Sequence, residues 1–363
     1  MVIKTFKDNK ETIYLQLITN STDMLKLQTP VADEPCKVGI SYNDRIMMLG
    51  SCFSDNIGRQ LADLGFDVCI NPFGTLYNPV SILASVERLA EGRPFTPSDC
   101  VRIGAGDERW CTFSHHTSFA RDDMDEFLSH ANDALAQARE AFLKADKVII
   151  TLGTSWCFRH IGKDMIVSNC LKHPSAEFRR ERLSSQEVTD ALRRVIEICQ
   201  SLEDGSGKQF IFTVSPIRHF KDGAHGNQIS KSALLLGIDD LLAGLPADLS
   251  LEPRHTADYF PAYEIVMDEL RDYRFYAEDL AHPSQQAVDY IWEKFVAAAL
   301  NNSAKALLPH IEKIVAAASH RPFNPDSEEY AQFCRRNIEA IEKLPNIDFS
   351  EERKLFKRYS DKF

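Results

Sequence analysis

The pattern of apolar and polar positions predicts β-strands that alternate with α-helices. Short apolar runs, which are typical of buried strands, occupy residues 45–49, 67–70, 147–152 and 209–214. Apolar residues that recur every three or four positions predict helices, at residues 54–64, 79–91, 122–144, 184–202, 261–270 and 284–301. Strands that alternate with helices of this length predict parallel βαβ units, and therefore an α/β fold with a mostly parallel, doubly wound sheet.

Other segments break this alternation. Residues 156–160 and 165–167 predict a hairpin around Gly162. Residues 92–121 contain Gly, Pro, Ser and two adjacent histidines, and predict an irregular insertion. The chain is therefore divided into an N-terminal tail at residues 1–35, one α/β domain at residues 36–302, and a charged, helical C-terminal extension at residues 303–363.

The charge balance argues against two kinds of partner. The sequence holds 42 basic and 53 acidic residues, so its formal net charge is −11. Such a surface repels nucleic acid and anionic membranes, and no apolar run approaches the ~20 residues needed to cross a bilayer. We therefore expect no nucleic-acid partner and no membrane partner. The charge balance does not argue against a homo-oligomer.

Cysteine and histidine usage predicts a cytoplasmic protein without a metal or another cofactor. The nine cysteines include no C-x-x-C pair, and residues 1–21 show no signal peptide, so we expect reduced thiols. The sequence has no H-E-x-x-H motif and no cysteines and histidines with the spacing of zinc ligands. We therefore predict no metal site.

The strongest candidates for chemistry lie where predicted strands end. Open parallel sheets bind ligands beyond the carboxyl ends of their strands, and Ser51 follows the first strand. A serine between a strand and a helix lies near backbone N–H groups that stabilise an oxyanion, but it needs a base. His282 is the candidate base, because Asp279 lies three residues before it and can fix its tautomer. Cys52 is the alternative nucleophile, if the helix terminus lowers the pKa of its thiol.

The sequence Gly50-Ser51-Cys52-Phe53-Ser54 resembles the signature of the GSCFA family, within the wider SGNH/GDSL hydrolase clan. Further segments that resemble the family follow in order, at residues 71–75, 152–156, 169–170, 215–219, 227–232, 259–264 and 272–276. The resemblance covers roughly residues 36–300.

This resemblance implies a fold and a set of catalytic residues. The implied fold is a flavodoxin-like, SGNH-type three-layer sandwich with a mostly parallel sheet. In the SGNH clan the serine of the first motif is the nucleophile, and a D-x-x-H sequence near the end of the domain supplies the acid and the base. These roles fall on Ser51, Asp279 and His282.

The resemblance also implies an oxyanion hole. In the clan it combines the N–H of the nucleophile, a glycine N–H after the second strand, and an asparagine side chain after the third strand. Gly74 matches the second place, whereas the third place lacks an asparagine, which leaves Thr154, Ser155 and Asn169 as alternatives. The predicted oxyanion or substrate-binding residues also include Asn71, Arg218 and His219.

The resulting expectation is a serine ester hydrolase. We expect it to form an acyl-enzyme on Ser51 and to remove a short acyl group, such as acetyl, from a small-molecule or carbohydrate-like ester. Two alternatives use the same fold. One is a non-catalytic module that binds a carbohydrate or another partner, and the other is an acyltransferase with the same triad.

Overall fold

The centre of the molecule is a five-stranded parallel sheet. The structure is a computed structural model, and it describes residues 29–31, 34–202, 207–245 and 257–361. The strands in chain order are β1 (Arg45–Gly50), β2 (Asp67–Ile70), β3 (Cys100–Arg102), β4 (Trp110–Thr112), β5 (Lys147–Leu152), β6 (Trp156–His160), β7 (Met165–Val167), β8 (Phe178–Arg182), β9 (Gln209–Val214) and β10 (Ala257–Phe260).

The central sheet has the strand order β2-β1-β5-β9-β10, and each neighbouring pair is parallel. Met48 pairs with Ile70 on one side and with Ile149 on the other. The chain thus starts near the middle of the sheet, builds one edge, and returns to build the other half. Between β1 and β5 the direction of winding reverses, and doubly wound sheets bind their ligands at such a point. The predicted parallel α/β sheet is confirmed.

Helices cover both faces of this sheet. They are α1 (Cys52–Asp63), α2 (Pro79–Glu91), α3 (Met124–Lys144), α4 (Ser185–Gln200), α5 (Gly223–Ala243), α6 (Gln285–Ala299), α7 (Asn302–Ser319), α8 (Glu328–Glu342) and α9 (Ser350–Ser360). Successive strand residues point to opposite faces, so Met47 and Ile150 pack with helices α2 to α5, whereas Met48 and Ile149 pack with α1 and α6. The result is three layers around two apolar interfaces.

The sequence pattern explains the central elements. All six residues of β5 are buried, as a parallel strand covered by helices on both faces requires. The predicted strand at 209–214 is confirmed as β9. Helix α3 buries one stripe at helical spacing, which comprises Phe127, Ala131, Leu135, Ala138 and Phe142.

Three segments differ from the predictions. The supposedly irregular residues 92–121 include the antiparallel pair β3–β4, and the predicted hairpin β6–β7 is joined by β8 in a separate three-stranded sheet. The predicted helix at 261–270 is a short turn at Ala262–Glu264 followed by a π-helical segment at Ile265–Glu269. Helix α5 and strand β10 are additional elements of the main fold.

The C-terminal helices α7, α8 and α9 form their own apolar cluster. Its buried members include Ile311, Cys334 and Phe356. This cluster also contacts Tyr42, whose ring stacks on Phe66 at a centroid distance of 3.9 Å. Residues 1–28 and 32–33 of the predicted tail lie outside the described residues. In the described part of the chain, no helix combines the length and the apolar character needed to span a membrane.

Candidate active site

Ser51 lies on the turn from β1 into α1. Its Oγ caps the helix by accepting a hydrogen bond from the N–H of Phe53 at 3.4 Å. Gly50, just before it, has a φ of 147°, and a Cβ there would lie 2.2 Å from the carbonyl oxygen of Thr151. Only glycine fits at this conformation and distance. The close approach of β1 and β5 therefore fixes Ser51 at the point where the sheet reverses its winding.

Asp279 and His282 form a hydrogen-bonded pair on the loop before α6. Nδ1 of His282 is 2.5 Å from Oδ2 of Asp279, and Oδ1 accepts hydrogen bonds from the backbone N–H groups of Ala281 and His282 at 3.0 and 2.9 Å. The backbone N–H groups of His282 and Ala281, together with the imidazole, lower the pKa of Asp279 to about 2. The ionised carboxylate therefore holds Nδ1 and leaves Nε2 of His282 to accept a proton.

The loop that carries this pair is tied to the loop after β9. The backbone N–H of Arg218 donates to the carbonyl oxygen of Ala281 at 3.1 Å. Within the loop itself, the N–H of Ala277 donates to the carbonyl oxygen of His282 at 2.8 Å. The neighbouring loops therefore set the position of the imidazole together.

One cleft of about 850 Å³ brings the predicted triad together. Ser51, Asp279 and His282 all line it, and its volume is ordinary for a small-molecule site. Ser51 is only 1% exposed, so it lies at the bottom. Among the described residues, no hydrogen bond joins Ser51 to His282; such bonds are often open in substrate-free enzymes.

Cys52 also lines the cleft, but it lacks the features of a nucleophile. Burial, and then the nearby carboxylate of Asp55, raise the pKa of the Cys52 thiol. The thiol is therefore protonated near neutral pH, and only the thiolate is a strong nucleophile. The electrostatic environment favours Ser51 over Cys52.

Gly74 and Asn71, which the sequence predicted as oxyanion or substrate-binding residues, lie outside the lining of the cleft. The N–H of Gly74 donates to the carbonyl oxygen of Asn71 at 2.7 Å, so it is not free to bind an oxyanion. Gly74 has a φ of 84°, and a Cβ there would lie 2.3 Å from Cβ of His116. Asn71 accepts from the N–H of Gly50 at 2.8 Å and donates to Asp55 at 2.7 Å. Both residues shape the turn beside the serine.

The predicted N–H of the nucleophile is also engaged. The backbone N–H of Ser51 donates to the carbonyl oxygen of Thr151 at 3.2 Å. This bond continues the pairing of β1 with β5 beyond the end of the strand. An oxyanion would therefore have to compete with the sheet for this donor.

The three candidates for the third oxyanion donor occupy different places. Ser155 is fully buried, hydrogen-bonds to Ser230 and does not line the cleft. Thr154 lines the cleft, with Oγ1 2.9 Å from Oγ of Ser230. Asn169 lines it too, and its Oδ1 accepts a backbone N–H at 2.8 Å. Its Nδ2 group has no partner among the described residues, so Asn169 offers the free donor.

Arg218 and His219 both line the cleft. Burial, followed by the electrostatic influence of the neighbouring Lys231 and His282, lowers the pKa of His219 to about 4, so its imidazole is neutral at pH 7. Nε2 of His219 is buried and has no hydrogen-bond partner in the described part of the chain. A neutral imidazole with an unused nitrogen suits contact with a substrate hydroxyl or carbonyl.

Polar side chains of α5 hydrogen-bond to the loops that line the cleft. The sequence alone assigned these side chains no role. Nζ of the buried Lys231 donates to the carbonyl oxygens of Gly153 and Ser215 at 2.6 Å each. One turn earlier, Oδ1 of Asn227 accepts from the backbone N–H of His219 at 2.9 Å. These bonds join the loops after β5 and β9. The available signal was polar residues at helical spacing within an apolar segment.

The rim of the cleft is aromatic and basic, which the sequence reasoning also missed. Trp156 and Phe158 come from β6, and Phe220 comes from the loop after β9. The guanidinium of Arg180 lies 4.2 Å from the centroid of the Trp156 ring and forms an ion pair with Asp222. The signal was the alternation of aromatic and basic residues on the small β6–β8 sheet.

Potential metal ligands are scattered over the described residues. In those ranges, no group of three or more His, Cys, Asp or Glu side chains could hold a metal ion. A typical pair is His173 with Glu177, at 2.9 Å. All nine cysteines are free thiols.

Fold and cleft together define an α/β protein with a polar site at the reversal point of a parallel sheet. The chain belongs to the GSCFA family: the model described as GSCFA family matches residues 45–295. The model described as GSCFA domain protein, C-terminal domain, matches residues 311–360, which lie in α7 to α9. No curated protein and no solved structure matches the chain significantly.

Proposed function

We propose that this GSCFA protein is a serine ester hydrolase of the SGNH type. The observation that carries the proposal is one cleft lined by Ser51 and by the hydrogen-bonded pair of Asp279 and His282. The strand order of the sheet is the flavodoxin-like one, with the cleft at the reversal point. We propose a short acyl ester of a carbohydrate-like molecule as substrate, because the aromatic rim offers flat apolar faces.

The proposed acylation step uses Ser51 and His282. Oγ of Ser51 attacks the ester carbonyl carbon while Nε2 of His282 takes its proton. The ionised Asp279, 2.5 Å from Nδ1, stabilises the imidazolium that forms. The tetrahedral intermediate then collapses, the bond to the leaving alkoxide breaks, and the imidazolium gives its proton to this alkoxide, which departs as the alcohol.

Deacylation repeats these roles with water as the nucleophile. His282 removes a proton from water, the hydroxide attacks the acyl-enzyme, and Ser51 leaves with the proton as the acid is released. For the oxyanion we propose the first turn of α1 at the backbone N–H of Cys52, because the next two N–H groups, of Phe53 and Ser54, already donate to Ser51. The second proposed donor is the Nδ2 group of Asn169, because its Oδ1 is already engaged.

One observation favours a second candidate, a non-catalytic binding module. Ser51 already has a structural role, since its Oγ accepts the N–H of Phe53 and caps α1. A helix cap alone explains a serine at this position. In a binding module the cleft would hold a ligand without forming a covalent bond to Ser51.

Mutation of Ser51 separates these two candidates. Ser51→Ala should lower kcat on p-nitrophenyl acyl esters by ~10⁴–10⁶-fold, as loss of a nucleophile does. A fluorophosphonate probe should label the wild type at Ser51 and fail to label the variant. Thermal unfolding of Ser51→Ala checks that the fold survives loss of the helix cap.

Cys52→Ala is the matched control, since it alters the neighbouring residue on the same turn. We expect it to keep wild-type kcat within about threefold, because the protonated thiol takes no part. An inactive Cys52→Ala beside an active Ser51→Ala would reverse the assignment of the nucleophile. Wild-type protein that is inert to all esters and to the probe would favour the binding module.

A further inference from the structure

The charges that line the cleft are unequally paired. Its two carboxylates, Asp222 and Asp279, are both engaged, the first by the guanidinium of Arg180 and the second by His282. Two cations of the lining, Arg218 and Lys221, have no carboxylate partner among the described residues. A chain with a formal net charge of −11 thus carries an unbalanced positive region in its main cleft.

Arg218 is the more constrained of these two cations. Among the described residues, Nη1 has one hydrogen-bond acceptor, the weakly accepting thioether sulfur of Met267 at 3.5 Å. Nε is buried and has no partner in the described part of the chain. The guanidinium lies 5.3 Å from the ring centroid of Phe220, on the rim of the cleft. A half-buried guanidinium that has only a thioether as acceptor is unfavourable unless a ligand supplies a stronger one.

The position of Arg218 relates it directly to the candidate catalytic pair. Its backbone N–H donates to the carbonyl oxygen of Ala281, which lies between Asp279 and His282 in the same loop. The next residue, His219, also lines the cleft. A group bound by the Arg218 side chain would therefore occupy the same cleft as the imidazole of His282.

We propose that Arg218 binds an anionic group, a carboxylate or a phosphate, on the substrate that this cleft holds. The guanidinium offers paired N–H donors in the geometry that such planar or tetrahedral anions accept. This inference rests on the proposed function for the ester, and it deepens it: the substrate class is an acyl ester of an acidic, carbohydrate-like molecule. The paired Arg180 then packs on Trp156 as part of the aromatic rim.

The test measures binding, so it does not depend on turnover. Ser51→Ala protein is titrated by calorimetry with glucuronate, with the neutral glucuronamide, and with glucose 6-phosphate. We expect at least one anion to bind roughly tenfold or more tightly than the neutral amide, as a charge-assisted hydrogen bond predicts. The stronger of the two anions identifies a carboxylate or a phosphate as the preferred group.

Variants at Arg218 make the test specific. In the Ser51→Ala background, Arg218→Gln should remove the preference for the anion, and Arg218→Lys should retain part of it. Arg271→Gln, at a surface arginine paired with Asp268 outside the cleft, should leave the preference unchanged. Circular dichroism of each variant checks folding; should Arg218→Gln fail to fold, Arg218→Lys carries the comparison.

Two results would overturn the proposal. One is equal affinity for charged and neutral probes, including no binding of either anion at millimolar concentrations. The other is an anion preference that survives Arg218→Gln. Failure of the hydrolase proposal gives a different result. In that case the wild-type protein cleaves no ester, but it still prefers the anion, and Arg218→Gln still removes that preference.

Discussion

The two histidines of the cleft lie in opposite environments. His282 has a side chain that is 51% exposed, and its Nδ1 is held by an ionised carboxylate at 2.5 Å. His219 is half-buried, with its Nε2 fully buried, and desolvation together with the nearby Lys231 lowers its pKa to about 4. No carboxylate contacts its ring in the described part of the chain. One imidazole is therefore equipped to become a cation during a reaction, and the other is kept neutral.

This difference shows why spacing alone does not identify a base. Both histidines line the cleft, and both follow elements at the same edge of the sheet. A general base must hold a positive charge in the transition state, so it needs a negative or polar partner that stabilises the charge. Asp279 is this partner for His282. Burial next to Lys231 instead disfavours a positive charge on His219.

The largest effect should come from exchanging the proposed base, His282. We expect His282→Gln to lower kcat by ~10⁵–10⁶-fold, because Ser51 then keeps its proton. A stopped assay with p-nitrophenyl acetate measures the loss, and circular dichroism checks the fold. A larger loss in His219→Gln than in His282→Gln would reverse the comparison and make the buried imidazole the base.

The next largest effect should come from the proposed acid of the triad, Asp279. Asp279→Asn keeps the shape of the side chain but no longer stabilises the imidazolium, so we expect kcat to fall by ~10⁴-fold. Glu278→Gln is the matched control, one residue away and outside the cleft lining, and it should change kcat less than about threefold. Similar damage from both variants would contradict the pairing of Asp279 with His282 as the source of the effect.

The central fold could be predicted because its information is local. β1, β5 and β9 are apolar runs whose residues are almost all buried, so composition alone marks them. Strand β8 has the sequence Phe-Arg-Arg-Glu-Arg and was not recognised. Its stability comes from pairing with β6 and from the stacking of Arg180 on Trp156, contacts that no short window of sequence contains.

The same distinction between local and tertiary information applies to the candidate site. Asp279 and His282 lie three residues apart in one loop, so their contact is set by local geometry, and the spacing indicated it. Whether a backbone N–H group is free to bind a ligand depends on the tertiary structure and cannot be predicted from a short segment. Gly74 was expected to offer its N–H to an oxyanion, but the turn directs that N–H to the carbonyl oxygen of Asn71 at 2.7 Å.

Lys231 illustrates a further limit of the sequence. A lysine within an apolar helix gives no direct sign of what it binds. Only the tertiary structure places its Nζ 2.6 Å from two carbonyl oxygens, at the ends of β5 and β9. Burial lowers the pKa of Lys231 to about 7, so its charge contributes to the environment of His219 in a manner that depends on pH.

The smallest effect on activity should come from His219. Its neutral imidazole can donate or accept one hydrogen bond to a substrate, and loss of such a bond costs up to about tenfold in kcat/KM. We therefore expect His219→Gln to lower kcat/KM by no more than ~10-fold, mainly through KM. A loss of several orders of magnitude in kcat would mean that His219 takes part in the chemistry.

The same variant should change how stability depends on pH. Folding lowers the pKa of His219 from 6.5 to about 4, so between these values the unfolded chain binds a proton here and the folded chain does not. The contribution of His219 to the free energy of unfolding is complete above its pKa in the unfolded chain and is lost as the pH falls through its pKa in the folded protein. This contribution amounts to ~3 kcal/mol at most. The Tm of His219→Gln should therefore fall less than that of the wild type between about pH 7 and pH 5. His310→Gln, at an exposed position of α7, is the control, and parallel Tm curves for wild type and His219→Gln would show that His219 is not kept neutral by burial.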